Sequence, residues 1–128
     1  VKGMDREKGF FYPASMDYYN EKSKVLGFQG EVVTKAESKI MGTSFITEMV
    51  KEAIDAAEKA GVGLYCGEFG VIDRAPIEDT FRWFQDVNEV FTANNIGFSV
   101  WSYKKMDFGF IDKHYDEIRE RLLSIWME

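Results

Sequence analysis

The stretch Tyr65-Cys66-Gly67-Glu68-Phe69-Gly70 decides how this chain is read. It completes a short apolar run, Val62-Gly63-Leu64-Tyr65-Cys66, that has no clean alternation and follows directly on a helical pattern. Such a run fits a strand covered on both faces. Glu68 stands where that strand is expected to end and a glycine-containing loop to begin. Gly67 and Gly70 flank it, and residues without a Cβ let backbone or a ligand approach closely. Position alone is equally compatible with a solvated acid at a strand edge.

Upstream, Phe45, Ile46, Met49, Val50, Ala53, Ile54 and Ala57 recur at three- and four-residue spacing. They predict an amphipathic helix with one buried stripe. Gly42-Thr43-Ser44 offers its N-cap side chains, and Gly61 its stop. Downstream, Gly70 to Ala75 reads as a loop and Pro76 suits a first helical turn. Ile77, Phe81, Phe84, Val87 and Phe91 mark a second amphipathic helix that ends at Asn94-Asn95. Ile96-Gly97-Phe98-Ser99-Val100-Trp101 reads as another buried strand. A Lys- and Asp-rich loop follows, then a helix from about Tyr115 to Trp126 with Ile118, Leu122 and Ile125 inward. The order helix, strand, helix, strand, helix implies parallel strands joined by right-handed crossovers. Two strands alone do not make a stable parallel sheet, so the pattern reads as the end of a larger α/β sheet or barrel. In such barrels catalytic side chains project from the C-terminal ends of strands. That rule puts Glu68 and Trp101 at one opening. Read alone, Trp101 is better taken as a core residue.

Residues 1 to 42 show no sustained periodicity, and only a short helix from about Met16 to Val25, ending near Gly27, is expected there. The chain is thus one unit, 1–128, with a loop and short helix over 1–42 and α-β-α-β-α over 43–128. Of its 128 residues, 45% are hydrophobic, 30% charged and 16% aromatic, which is a globular profile. The net charge of −6 argues against nucleic acid, whose binders replace condensed counterions with basic patches, and against an anionic membrane surface. A single cysteine, Cys66, excludes an intrachain disulfide. No apolar run reaches the roughly 18 residues that span a bilayer. The polar start Val1-Lys2-Gly3-Met4-Asp5-Arg6 carries no signal-peptide pattern, so extracellular and cytoplasmic placements both stay open. A start on Val rather than Met is what a piece of something longer would show.

The residues also carry a family resemblance. Gly61 to Asp112 resembles the C-terminal portion of glycoside hydrolase family 5, the cellulase-type (β/α)8 barrels. The matching segments are Tyr65-Cys66-Gly67-Glu68-Phe69-Gly70-Val71, the helix opening at Ala75-Pro76 with Arg82-Trp83 inside it, Ile96-Gly97 leading to Val100-Trp101-Ser102-Tyr103-Lys104, and Met106-Asp107-Phe108-Gly109. A looser likeness reaches back to Tyr12-Pro13, similar to the loop and helix after the sixth strand. The resemblance implies strands seven and eight of a barrel, with Glu68 as the nucleophile of a retaining hydrolase of β-1,4-glucan. It makes Trp101 the floor of the −1 subsite and adds Tyr103 and Lys104 as substrate contacts. In that mechanism one carboxylate attacks the anomeric carbon while a second, about 5 Å away, protonates the leaving oxygen and then activates water.

The family's second carboxylate, a Glu preceded by Asn at the end of the fourth strand, has no counterpart here. Asn88-Glu89 lies inside an amphipathic helix and Asn20-Glu21 in the short one, so both read as solvated surface pairs. The lone His114 follows the last loop, away from the family's histidine positions. Asp107-Phe108-Gly109 has the letters of the kinase metal motif without its companion signatures. No ligand cluster has metal spacing, so no metal and no cofactor are expected. A barrel of this type takes about 250 residues. The isolated chain is therefore expected to lack activity and to associate with itself or with a missing N-terminal barrel half. Two other readings stay open: a non-catalytic, sugar-binding or self-associating remnant, and a different barrel enzyme in which Glu68 abstracts a proton.

Overall fold

The computed structural model describes residues 11–127. The polar start Val1–Arg6, and the rest of 1–10, lie outside the described residues.

The first described stretch is more ordered than its lack of periodicity implies. Two two-residue strands, β1 (Ala14–Ser15) and β2 (Ile40–Met41), pair antiparallel, with Ala14 opposite Met41. Helix α1 (Met16–Ser23) follows β1, with the Ser15 hydroxyl accepting from the Tyr18 amide at its start. A 3₁₀ segment continues to Gly30, kinked at Gly27, where φ is +55°, and a single turn, α2 (Glu31–Thr34), completes the layer. Elements this short leave no period to read.

The remainder follows the expected alternation. Helix α3 (Thr43–Ala60) ends on Gly61 in the left-handed conformation (φ +66°), which only glycine adopts without cost. Its start differs from expectation: Gly42 is the N-cap and makes no side-chain cap bond, while the Ser44 hydroxyl donates to the Ile40 carbonyl. The buried stripe is also narrower, because Ile46, Val50 and Ile54 face the core while Met49 and Ala53 are exposed. Strand β3 (Leu64–Phe69), helix α4 (Ile77–Ala93) and strand β4 (Ile96–Val100) come next. A 3₁₀ turn at Lys113–Tyr115 then leads to α5 (Arg119–Trp126), which begins later than the sequence implies.

Strands β3 and β4 run parallel, so both end at the same edge. Core residues lie on one face of this two-stranded sheet. Leu64, Cys66, Phe69 and Phe98 pack with Ile46, Val87, Val90 and Phe91, while Val100 and Phe69 pack with Phe84, Tyr115, Ile118 and Leu122. A third cluster, Tyr12, Met16, Tyr19 and Met41, joins the first segment to Trp83, which contacts all three. Tyr12 donates to the Asp86 carboxylate at 2.6 Å, and the Arg82 guanidinium donates to the Tyr12 carbonyl at 3.0 Å. Asn88, expected in a solvated pair, instead donates its amide to the Ile125 carbonyl and ties α4 to α5. Asn20 is likewise no free surface residue, since its side-chain oxygen is buried. Glu21 and Glu89 are exposed. Among the described residues, no helix is long and apolar enough to cross a membrane.

Candidate active site

The open face of the β3–β4 sheet is built by parity and one interruption. Leu64 and Cys66 face the core, so simple alternation would send Glu68 inward with them. It does not go there. Cys66 pairs with Phe98 and Phe69 with Val100, which leaves two residues, Gly67 and Glu68, opposite the single Ser99. This bulge returns Phe69 to the core and puts Glu68 on the exposed side with Tyr65 and Gly67. Because β3 runs on to Phe69, Glu68 lies inside the strand rather than after it, a correction to the expected boundary.

Phe69 then fixes the position of that strand end. Its ring meets Phe91 and Phe98 at 5.4 Å between centroids, Phe84 at 5.8 Å and Trp83 at 6.0 Å. Four aromatic neighbours immediately beside Glu68 hold its backbone while its carboxylate stays exposed.

From β4, Gly97, Ser99 and Trp101 share the open face. Tyr65 lies across Gly97: a Cβ there would come within 2.9 Å of the Tyr65 ring. The Tyr65 hydroxyl reaches the Ser99 hydroxyl in a hydrogen bond. Trp101 follows directly on β4, 39% exposed, and its amide donates to the Phe69 carbonyl at 2.7 Å. The Trp101–Ser102 peptide is cis. Gly70 packs against the carbonyl of Trp101 so closely that a Cβ would lie 2.1 Å from that oxygen. The glycine required by the sequence reading is therefore needed for backbone contact here, whereas Gly67 has open space where its Cβ would stand. Open space beside Glu68 leaves the carboxylate accessible to a ligand.

Tyr103 is 73% exposed and Lys104 is exposed, both on the loop that leaves β4 at the Glu68 end. The structure thus gathers Glu68 and Trp101 at one edge, with Tyr103 and Lys104 on the adjoining loop. His114 does not join that edge; it lines a cavity of about 670 Å³ behind the loop after β4, with Met106 and Asp107 of that loop and with Asp73, Asp112 and Glu117. Among the described residues, no group of three or more His, Cys, Asp and Glu side chains is placed to hold a metal ion. Sequence reasoning missed Tyr65 and Ser99. Their odd-numbered placement in the two strands was the available signal, once a sheet with one open face is assumed.

No protein-family model matches the chain. It is 40% identical over 76 residues to Endoglucanase C of Acetivibrio thermocellus, a match covering 59% of this chain and 22% of that protein. Endoglucanase C307 of Clostridium sp. (strain F1) matches to the same extent. Cellodextrinase A of Ruminococcus flavefaciens is 42% identical over 62 residues, 48% of this chain and 18% of the relative. The chain spans about a fifth of the length of these curated relatives. Part of its fold recurs in solved structures. A hyperthermophilic endo-beta-1,4-glucanase in complex with substrate has a TM-score of 0.51 at 24% identity, over 56% of this chain and 23% of that one. An endoglucanase has 0.55 at 19% identity, over 63% and 27%. The chain is similar in sequence to cellulase-type hydrolases and contains a partial α/β fold found in endoglucanases.

Proposed function

We propose that this chain is the C-terminal part of a (β/α)8 glycoside hydrolase of the family 5 type, with β3 and β4 as its seventh and eighth strands. The complete enzyme cleaves β-1,4-linked glucan by a retaining double displacement. Glu68 attacks the anomeric carbon, Trp101 stacks under the reacting ring, and Tyr103 and Lys104 contact the substrate. The observation that carries this reading is the bulge at Gly67-Glu68, which puts an accessible carboxylate on the open face at the C-terminal end of a parallel strand. Similarity to endoglucanases supports the substrate class.

A nucleophile needs a partner acid, and Glu68's neighbours on the open face are Tyr65, Gly67, Gly97, Ser99 and Trp101, none of them a carboxylate. The isolated chain is accordingly inactive, and its bare face pairs with a further barrel segment or a second copy. The test is covalent trapping by a 2-fluoro-cellobioside with an activated leaving group, which needs little help from an acid. With the complementary N-terminal half supplied, an adduct on the peptide containing Glu68, absent in Glu68→Gln, is expected. No adduct, together with activity unchanged in Glu68→Gln, removes the nucleophile assignment. Sugar binding without an adduct would favour the non-catalytic remnant.

A further inference from the structure

The loop that leaves β4 carries Lys105, Met106 and Asp107 at φ of +65°, +61° and +63° in succession. Of the three, only Asp107 is of a type that adopts this conformation readily, so the run persists because its surroundings enforce it. The Ser102 hydroxyl donates to the Lys105 carbonyl at 3.0 Å and closes the bend over Tyr103 and Lys104. The Ser102 and Tyr103 carbonyls accept from the Phe110 and Ile111 amides at 2.7 and 3.1 Å. From the loop after β3, the Asp73 amide donates to the Asp107 carbonyl at 2.7 Å.

One side chain from beyond the bend also grips it. The Lys105 amide donates to the Asp112 carboxylate at 2.7 Å. An amide bonded to a charged acceptor is held more strongly than one bonded to a carbonyl. Gly109 makes room for this bond. A Cβ there would stand 2.1 Å from Oδ2 of Asp112 and 2.4 Å from the Lys105 nitrogen. Gly109 does not have a positive φ, so its missing side chain answers to this contact. Asp112 is itself anchored. It precedes the 3₁₀ turn, and its carbonyl accepts from the Arg119 guanidinium and the Tyr115 amide, each at 3.0 Å. Tyr115 and Ile118, which follow it, are fully buried. A continuous path thus runs from the core through Asp112 to the backbone beside Lys104.

We propose that Asp112 is a positioning residue, which through the Lys105 amide sets the backbone from which Tyr103 and Lys104 reach the substrate. This rests on the glucan-cleaving reading above and adds a residue that acts only through the loop. Lys104 lies between two fixed points, the Tyr103 carbonyl and the Lys105 amide, so its backbone is set before a ligand arrives. A loop ordered in advance loses less freedom on binding. Bond cleavage at Glu68 does not draw on that gain, so the effect belongs in KM rather than kcat.

The first measurement takes the chain alone, labelled with ¹⁵N. Hydrogen exchange at the Lys105 amide should quicken about tenfold in Asp112→Ala, the loss of one bond to a charged acceptor, while Ile118 and Leu122 keep their protection. Asp112→Asn, whose side-chain oxygen still accepts, should retain most of the protection. The second measurement takes the chain together with the complementary N-terminal half, with cellotetraose as substrate. Lys104 meets the glucan as a charged donor, so misplacing it should raise KM about tenfold in Asp112→Ala with kcat unchanged. Asp112→Asn should recover the KM. Equal Lys105 exchange in all three proteins overturns the tether, and faster exchange with an unchanged KM overturns the positioning role; either leaves the glucan reading standing. Loss of Ile118 and Leu122 protection along with that of Lys105 would make Asp112 a residue of the fold and overturn the role as well. If the wild-type pair cleaves no cellotetraose, the glucan reading falls and takes the substrate role of Asp112 with it, however the amides exchange.

Discussion

Gly70→Ala is the sharpest test of how the candidate site is held together. Gly70 does not have a positive φ, so its lack of a side chain answers to space rather than to backbone conformation. A Cβ at this position would stand 2.1 Å from the Trp101 carbonyl oxygen and 3.2 Å from its carbon. Both are backbone atoms, so no side-chain rotation relieves the overlap. Restoring ordinary contact requires the ends of β3 and β4 to part by about 1 Å. The Trp101 amide to Phe69 carbonyl bond, 2.7 Å long, spans the same gap, and such a shift takes it beyond hydrogen-bonding range. Losing that bond and stranding its partners costs about 2–4 kcal/mol. With a urea slope near 1.5 kcal/mol/M for a domain of this size, the midpoint should fall by about 2 M. Urea titration followed by far-UV circular dichroism measures it. Gly67→Ala is the control, because nothing lies within 4 Å of its Cβ position. It should stay within about 0.5 kcal/mol of wild type. Equal midpoints for Gly70→Ala and wild type would refute the claim that close packing of these two backbones fixes Trp101 beside Glu68.

Two further outcomes are expected. Burial is the main cause that raises the phenols of Tyr12, Tyr19 and Tyr115, the last to about 12. A raised phenol pKa makes its stabilising effect complete below the unfolded value near 10 and lost as pH climbs through the folded value. Stability should therefore fall between pH 10 and 12, by about 3 kcal/mol for Tyr115 alone. Phenolate absorbance should rise together with loss of the near-UV signal, and Tyr115 ionising near pH 10 in an intact fold would contradict this. The bare sheet face predicts association, so sedimentation of the isolated chain should show dimers or larger assemblies, and a well-folded monomer over the micromolar range would remove the pairing proposal.

The helix, strand, helix, strand, helix order was legible because α3 and α4 carry long apolar stripes and β3 and β4 lie between glycine and asparagine stops. Glu68 was legible as a strand-end acid. Its route to the open face was not. Residues 64, 66 and 68 share one parity, and only cross-strand pairing reveals that Gly67 and Glu68 together face Ser99. The N-cap at Gly42 was misread because Thr43 and Ser44 are better cap formers than glycine, yet the chain enters the helix fully extended (φ −175°) and the hydroxyl of Ser44 serves Ile40. The left-handed backbone at Lys105, Met106 and Asp107 (φ +65°, +61° and +63°) left little trace in the sequence, because only Asp107 is of a type that adopts that conformation readily. Part of its enforcement comes from the Asp73 amide, which donates to the Asp107 carbonyl from a distant loop outside any local window.

The exposed side of the sheet and the missing acid share one physical origin under the proposed barrel. Parallel strands are ordinarily covered on both faces. Here the helix side is filled: Phe84, Ile118 and Leu122 are fully buried, and Phe69 meets the rings of Trp83, Phe84, Phe91 and Phe98. The opposite side shows Tyr65 61% exposed beside two glycines and a serine. That surface is small, polar at Ser99 and Glu68, and flat at Gly67 and Gly97. A sheet that ended here by design for solvent would carry charged side chains across that face rather than glycines. Glycines suit a face that receives other backbone or a ligand closely. The further strands that would cover Tyr65 are the same ones that would bring a second carboxylate to about 5 Å from Glu68. Supplying them should therefore bury Tyr65 and confer activity in a single step. Burial of Tyr65 without activity would separate the fold proposal from the catalytic one.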